Sequence, residues 1–384
     1  MIEPASNEEL RICLIGPAYP YRGGISHYNS CLALELGRRH AVHLVNYKRL
    51  YPEFLFPGKT QYDQSESPLK MDSRRIIDSI NPFTWLAAGF HISRFNPDLT
   101  VVQWWHPYFA PAISKICSIL RLLRKGKIIF ICHNVVPHER SGPDRLLSKL
   151  AFLTGNGFIV QSEQDREDLI SIRKSARVVT HPHPIYDFFR RGEISRESAR
   201  RELGVSSENL LLFFGYIRPY KGLEYLLRAM PRIVEASDSH LMVVGEFYEE
   251  KEPYMNLVSS LGISDRVTFV DRYVDNDEVE KFFTASDLVV LPYISATQSG
   301  IAQIALAFDR PVVVTSVGGL PEVVAEEKTG FIVPPEDSEE VASAVLKFIQ
   351  GGWGEKMAPH FEEQKKRFSW SSMADVIEEL YSRI

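Results

Sequence analysis

Short apolar runs alternate along this chain with stretches whose apolar residues recur every three or four positions. RICLI, at 11–15, reads as a strand; a Gly/Pro loop follows, then a helix from about 26 to 39. Residues 41–46, 99–103, 127–132 and 157–161 read as further strands. Residues 112–125 carry Ile113, Ile116, Cys117, Leu120 and Leu123 at helical spacing. The pattern restarts after residue 205, with strands at 210–214, 240–244, 266–270, 288–291, 311–315 and 330–333 and a helix at 223–235. Strands alternating with helices argue an α/β protein with parallel sheets covered on both faces. The restart makes it two doubly wound units, joined within 180–205, where prolines and the charged run RRGEISRESARRE lie. Residues 368–384 form a final amphipathic helix. Ligands of open α/β sheets bind beyond the carboxyl ends of strands, so chemistry is sought in the loops that follow strands.

Composition narrows the class. The chain has 384 residues, 45% apolar and 24% charged, which suits a globular protein of two or three domains. No apolar run reaches the roughly 18 residues that a membrane span needs. The start MIEPASNEELRICLIG has acids and no basic n-region, so no signal peptide is expected. Cys13, Cys31, Cys117 and Cys132 show no metal-ligand spacing and read as small buried hydrophobes in a reducing cytoplasm. Residues 1–200 hold 27 Lys and Arg against 19 Asp and Glu; residues 201–384 hold 17 against 30. The basic first half suits an anionic surface or ligand, or it is one of two oppositely biased solvated surfaces. The acidic total and the lack of a binding motif speak against nucleic acid.

Three loops carry candidate chemistry. GPAYPYRGG (16–24) opens a helix with two glycines, whose amides suit a phosphate. It is neither GxGxxG nor GxxxxGK[ST], which weakens dinucleotide and P-loop readings. GYIRPYKG (215–222) puts Arg218 and Lys221 after a strand, where two cations suit a diphosphate. ATQSG (296–300) precedes the helix IAQIALAF and offers hydroxyls and amides at a helix start. Each alone is equally a turn, a pair of surface charges or a helix cap; together they point to phosphate. His106 and His133 each follow a strand directly, and His181 and His183 lie at the join. No HxxxH or HExxH spacing exists, so no metal site is expected. Asp275-Asn276-Asp277 is a literal DxD but precedes EVEKFF and reads as a helix N-cap.

In order and spacing these segments resemble glycosyltransferase family 4, the retaining transferases of the GT-B fold. FFGYIRPYKGLEYLLRAM, LMVVGE, RVTFVDRYVDNDEVEKFFTASDLVVLP, RPVVVTSVGGLPEVV and TGFIVPPED carry the resemblance in the second unit. RGGISHYNSCLALEL, PDLTVVQWWHPYFAP and the closing FSWSSMADVIEELY carry it elsewhere. The resemblance implies two Rossmann-like domains facing across a cleft. An acceptor-side domain would span 1–188 plus 368–384, its C-terminal helix crossing back onto it, and a donor-binding domain 189–367. It implies that Gly23 and Gly24 line the donor diphosphate, that Lys221 binds phosphate, and that His106 faces the reacting sugar. The family's arginine five residues before the lysine is Tyr216 here, and Arg218 stands three before it. Arg272, Tyr273 and Val274 fall where backbone contacts the base, and Glu246 falls on the nucleotide side. Tyr21, Arg22 and His133 are the acceptor-side candidates.

One departure is marked. Where the family carries two glutamates eight residues apart, this chain has Thr297 and Ala305. Thr297, Gln298 and Ser299 are expected to take part of the glutamates' work, with the amides of Gly300 and Ile301 on the diphosphate. This describes a divergent subgroup, a different donor or reduced activity. The implied activity is transfer of a sugar from a nucleotide-diphosphate sugar to a glycan or lipid-linked acceptor, as in cell-surface polysaccharide synthesis, with no metal or other cofactor. A nucleotide-sugar epimerase or hydrolase of the same fold, or a non-catalytic nucleotide-sugar binder, are the alternatives. The aromatic and basic segment Tyr47–Asp63 suits a peripheral contact at the inner face of a membrane, or a loop packed on its own domain.

Overall fold

The computed structural model describes residues 9–56, 60–135 and 143–384. The first eight residues, whose acids bear on the signal-peptide reading, and residues 57–59 of the Tyr47–Asp63 segment lie outside the described residues. The chain divides into two compact units. Unit 1 comprises the described residues up to Gln64, Pro68–Pro182 and Trp370–Ile384; unit 2 comprises Ser65–Ser67 and His183–Ser369.

Unit 1 is built on seven parallel strands: β1 (Arg11–Ile15), β2 (Ala41–Arg49), β3 (Arg74–Asp78), β4 (Leu99–Trp104), β5 (Lys127–Cys132), β6 (Gly157–Val160) and β7 (Val178–Thr180). Their order is β3-β2-β1-β4-β5-β6-β7. Ile12–Ile15 pair with Val42–Val45 on one side and Leu99–Val102 on the other. Helices cover both faces, which is why the central strands read as unbroken apolar runs. The helices are α1 (Gly24–Leu36), α2 (Pro82–Phe95), α3 (Ala110–Leu122), α4 (Asp144–Phe152) and α5 (Glu163–Ile172). Aromatic rings fill the core beneath α3 and α4: Trp104 and Phe152 lie 5.0 Å apart, Phe130 and Phe158 5.6 Å. Burying each such side chain contributes about 1.5–3 kcal/mol. The sequence pattern gave no sign of β3 or β7. β3 opens with two exposed arginines and β7 has three half-buried residues, so neither carries a buried run.

Unit 2 has six parallel strands: β8 (Asn209–Phe214), β9 (Ser239–Val244), β10 (Val267–Val270), β11 (Leu288–Leu291), β12 (Val312–Thr315) and β13 (Gly330–Val333), in the order β10-β9-β8-β11-β12-β13. Its helices are α6 (Arg196–Glu202), α7 (Leu223–Ala236), α8 (Glu252–Ser260), α9 (Asn276–Ala285), α10 (Gly300–Ala307), α11 (Leu320–Val323), α12 (Ser338–Gln350), α13 (Trp353–Met357) and α14 (Phe361–Arg367). The apolar stripe Leu223, Leu226, Leu227, Met230 and Ile233 of α7 is buried, as helical spacing requires. Ser65–Ser67 belong to this unit through α9. Ser65 Oγ accepts from Asn276 N at 2.9 Å, and Asp277 accepts from Glu66 N at 2.7 Å.

The last helix, α15 (Trp370–Arg383), lies in unit 1 against α1. Trp370 meets Tyr28 edge-on at 5.0 Å, and Arg39 reaches Asp375 at 2.5 Å and Glu378 at 3.1 Å. A Cβ on Gly157 would stand 3.0 Å from Leu380, so β6 and α15 approach as closely as glycine allows. In both sheets the chain order reverses direction, between β1 and β4 and between β8 and β11. Those two reversals are where open α/β sheets hold ligands.

Candidate functional site

In unit 2 the loop after β8 and the loop after β11 leave from adjacent strands at the reversal. They are clasped together. Tyr220 O accepts from Ile294 N at 2.8 Å, and a Cβ on Gly222, which sits at φ +63, would fall 2.0 Å from Pro292 O. Lys221 ends the short 3₁₀ turn Pro219–Lys221 and is buried, 8% exposed. Its Nζ lies 5.0 Å from the ring centroid of Tyr293. Among the described residues no carboxylate pairs with it. Burial, and then the nearby Arg218 cation, hold the Lys221 ammonium below its ordinary range.

Room for that ammonium comes from Gly215, at φ +107. A Cβ there would sit 2.9 Å from Lys221 Nζ and 3.4 Å from the Ile301 side chain. Gly215, Lys221, Tyr293 and Ile301 therefore meet at one point. Ser299 joins them: its Oγ lies 3.3 Å from Tyr293 Oη and accepts from Ala302 N, capping α10. Gly300 and Ile301 open α10, so their amides and the positive helix end face the neighbourhood of the lysine. Thr297 and Gln298 are half-buried in the preceding loop, whose position is fixed by Gly319 N donating to Thr297 O at 2.8 Å. Gly318 is required beside it, since a Cβ there would fall 1.7 Å from Ala296 O.

Around this point stands an aromatic wall. Tyr216 and Tyr248 rings are 4.5 Å apart, Tyr216 and Tyr273 6.2 Å, and the Arg218 guanidinium lies 4.9 Å over Tyr248. These residues follow β8, β9 and β10 in turn. Glu246 is buried, and its carbonyl accepts from Ile217 N at 3.0 Å. Arg272 forms a two-pronged ion pair with Glu278, at 2.5 and 2.7 Å, which raises the arginine and lowers the glutamate. Val274 is buried beside it. Asp275 occupies the N-cap position of α9, but its side chain makes no capping bond. Asp277 is committed to the amides of Glu66 and Ser67 and to Arg191 at 2.8 Å. Among the described residues no three His, Cys, Asp or Glu side chains lie close enough to share a metal ion.

In unit 1 the corresponding reversal is β1/β4. A Cβ on Gly16 would fall 2.6 Å from the Gln103 side chain, so the loop after β1 presses on the end of β4. Gly23, at φ +103, is the N-cap of α1 with open space around it, and Gly24 is exposed as the first helical residue. His106 is exposed just beyond β4 and caps a 3₁₀ turn, its Nδ1 accepting from Tyr108 N at 3.1 Å. A nitrogen that accepts an N–H carries no proton, so the neutral ring donates from Nε2. His133 is buried instead. Its Nε2 lies 2.8 Å from Gln103 Oε1 and its Nδ1 3.3 Å from Gln161 Nε2, with Tyr28 edge-on at 4.5 Å. This is a satisfied group joining the ends of β4, β5 and β6. Tyr21 is buried, bridges to Tyr62 and lies under the Arg75 guanidinium, 5.7 Å from its ring; Arg22 N donates to Gln61 O at 3.0 Å. Both residues pin the far end of the Tyr47–Asp63 segment. That segment buries Tyr47 and Leu50, while Phe54 at its tip is 85% exposed.

Two residues escaped the sequence reading. Gly215 was legible only as a turn. Gln303 is fully buried in α10 with neither side-chain amide atom bonded among the described residues. Its signal was a single polar residue inside GIAQIALA.

Residues 208–351 match the model of a family described as glycosyl transferases group 1. The matched residues lie within unit 2. The match covers the Lys221 loop, the tyrosine wall and α10, the same segments that carry the family 4 resemblance. Among curated relatives, a D-inositol 3-phosphate glycosyltransferase of Mycobacteroides abscessus is 32% identical over 234 residues, covering 59% of this chain and 51% of that protein. The chain spans about half the length of the curated relatives it matches. The whole chain is similar in fold to Anabaena HepE solved with UDP (TM-score 0.75, 16% identity, 98% of this chain and 100% of that one). It is likewise similar to sucrose-phosphate synthase of Thermosynechococcus elongatus (TM-score 0.73, 20% identity, 98% and 99%). The fold is GT-B, with two Rossmann-like units, the second of which carries the family match.

Proposed function

We propose that this protein is a retaining, metal-independent glycosyltransferase that moves a sugar from a nucleoside-diphosphate sugar to a glycan or lipid-linked acceptor. The observation that carries the reading is the Lys221 ammonium, buried against Tyr293 at the β8/β11 reversal, with no carboxylate paired to it among the described residues, beside the start of α10. A buried cation costs stability unless an anion joins it, and a diphosphate is the anion that a strand-end lysine and helix amides recognise. Anabaena HepE, whose fold this chain shares, has been solved with UDP, which supports the same class of donor.

In the reaction the bond between sugar C1 and the diphosphate oxygen breaks, and negative charge grows on the leaving group. Lys221, Arg218 and the amides of Gly300 and Ile301 are the groups assigned to that charge. In unit 1 the glycine turn at Gly23 and Gly24 is assigned to phosphate. The base is assigned to the backbone of Arg272–Val274 and the tyrosine wall, with Glu246 on the same side. Ser299 is committed to capping α10, so Thr297 and Gln298 are left to meet sugar hydroxyls where the family has glutamate. His106 holds a sugar hydroxyl through Nε2–H. The acceptor hydroxyl attacks C1 on the leaving-group face; its proton passes to the departing phosphate oxygen, so configuration is retained. The acceptor is assigned to unit 1, beside Tyr21, Arg22 and the Tyr47–Asp63 segment. Metal independence is supported by Asp277 being occupied with two amides and Arg191.

A thermal-shift panel of nucleoside diphosphates and their sugars tests the donor, since ligand binding raises stability by mass action. Donor hits are then incubated with acceptor mixtures, with and without EDTA, and the products identified. Transfer with retention in EDTA is expected. Donor consumption without acceptor would favour an epimerase or hydrolase. Binding without turnover would favour a non-catalytic binder, a reading to which the missing glutamates lend support.

A further inference from the structure

Helices α2, α3 and α4 contact one another in series on one face of the unit 1 sheet, whereas α1 and α15 contact each other. The outer surface of that series is unusually apolar. On α4 and its C-cap, Leu146, Leu150 and Leu153 recur at spacings of four and three residues, which places them on one helix face, and all are exposed. Leu122, 82% exposed, and Leu123 stand at the end of α3. On α2, Phe83 and Phe90 are seven residues apart and so share a face; both are exposed. Between α3 and α4 runs a groove of about 690 Å³ floored by Ala110, Leu147 and Thr154 and edged by Leu150 and Leu153. Scattered exposed leucines need no explanation, but an apolar surface that runs across three helices does.

The charge on the same helices has one sign. Asp144 is the sole carboxylate that α2, α3 and α4 carry. Against it stand Arg94, Lys115, Arg121, Arg145 and Lys149, with Arg124 and Lys125 in the turn after α3. Several are held by neutral acceptors: Arg121 by Leu153 O, Lys125 by Asn96 Oδ1, Arg145 by Ser171 O. None is in an ion pair with a carboxylate among the described residues. Helix α5, which follows, carries Glu163, Glu167 and Asp168 and so bounds the patch. Leucine and phenylalanine interleaved with lysine and arginine is the composition of a surface that lies in the headgroup region of an anionic bilayer.

We propose that the α2–α4 face of unit 1 is a docking surface for an anionic lipid bilayer. Its apolar side chains enter the boundary between headgroups and acyl chains, and its cations meet lipid phosphates. The partner is chosen by charge complementarity: a zwitterionic membrane, or a second copy joined through this same face, would bring no net negative charge to the cations. This inference stands apart from the donor chemistry, since none of its residues belongs to the proposed site.

Flotation of the purified protein with vesicles of phosphatidylcholine alone, or mixed with phosphatidylglycerol, at low and high salt, tests it. Binding is expected only with phosphatidylglycerol and is weakened by salt. The pair Leu122→Gln and Leu146→Gln should lower partitioning about tenfold or more, from the lost burial of two leucines. The pair Arg124→Gln and Lys149→Gln should lower it about fivefold per cation at low salt. All four side chains are exposed, and the nucleotide-induced thermal shift should be unchanged in both pairs. Equal binding to both vesicles overturns the proposal, as does no flotation, or loss of binding only on Phe54→Ser. Self-association by light scattering that the leucine pair abolishes, without flotation, overturns it in favour of a copy-to-copy contact.

Discussion

Replacing Lys221 by methionine should raise the stability of unit 2 and weaken its affinity for nucleoside diphosphates about a hundredfold. The ammonium is buried, has no carboxylate partner among the described residues and faces the Tyr293 ring at 5.0 Å. A cation–π contact of this kind contributes about 1–2 kcal/mol when desolvated, whereas taking an ammonium out of water costs several kcal/mol. Methionine keeps an unbranched chain of similar volume and meets Tyr293 through sulfur. The balance is a stabilisation on the order of 1 kcal/mol, or a rise in Tm of about 2–4 °C for a unit of this size. Binding moves the other way. Loss of one charged donor on a phosphate costs about 3 kcal/mol, a factor of roughly 100 in Kd. Differential scanning calorimetry and titration calorimetry with UDP and GDP read the two quantities. The same lysine sets a pH dependence. Because burial depresses its folded pKa below the unfolded 10.5, the unfolded state holds more protons between the two values. Wild-type stability therefore rises with pH through that window, diphosphate affinity falls there, and the methionine variant shows neither slope. A variant that is destabilised yet still binds nucleotide at wild-type affinity would refute the reasoning, for Lys221 would then be a packing residue.

Two further outcomes follow from nearby geometry. Gly215→Ala places a Cβ 2.9 Å from Lys221 Nζ at φ +107, and should weaken diphosphate binding about tenfold while costing about 1–2 kcal/mol of stability. Gly204→Ala, at φ +67 with nothing within 4 Å, should show a comparable stability loss and unchanged binding; equal binding losses at both sites would sink the steric account. In α1, burial lowers His27 to about 4 from 6.5. The unfolded state binds the extra proton between those values, so unfolding free energy should fall by about 3 kcal/mol as pH drops from 6.5 to 4. Urea titrations should show that fall, and His27→Gln should remove it; an identical acid profile in the variant would count against it.

What the sequence revealed depended on whether the signal was local. Strands β1, β5, β11 and β13 coincide with their apolar runs, because a strand buried on both faces needs little beyond its own residues. β3 failed that test: RRIID sits at the sheet margin and exposes its arginines, so pairing with β2, not burial, makes it a strand. The Ser65–Ser67 segment was invisible, since it lies with unit 2 through bonds to α9 and Arg191, more than 100 residues away. Those bonds also explain Asp275-Asn276-Asp277: a cap position was legible, but the use of Asp277 as an anchor was not. Among site residues, Lys221 and Arg218 were legible from a strand–loop–helix context. What distinguishes them, the burial of one and the stacking of the other on Tyr248, depends on side chains from β9 and β11.

The missing glutamates become intelligible on the same terms. In ATQSG, Ser299 caps α10 and touches Tyr293, and Tyr293 in turn faces Lys221. The serine thus couples the helix start to the lysine through one tyrosine ring. A glutamate near this lysine would pair with it and neutralise it before any diphosphate arrived. On the proposed reading the ammonium keeps its charge for the diphosphate, while Thr297 and Gln298 offer neutral groups to the sugar's hydroxyls. A site of that kind would hold the diphosphate firmly and grip the sugar lightly. Nucleoside diphosphate should then bind nearly as tightly as the intact donor, and Thr297→Glu should weaken it.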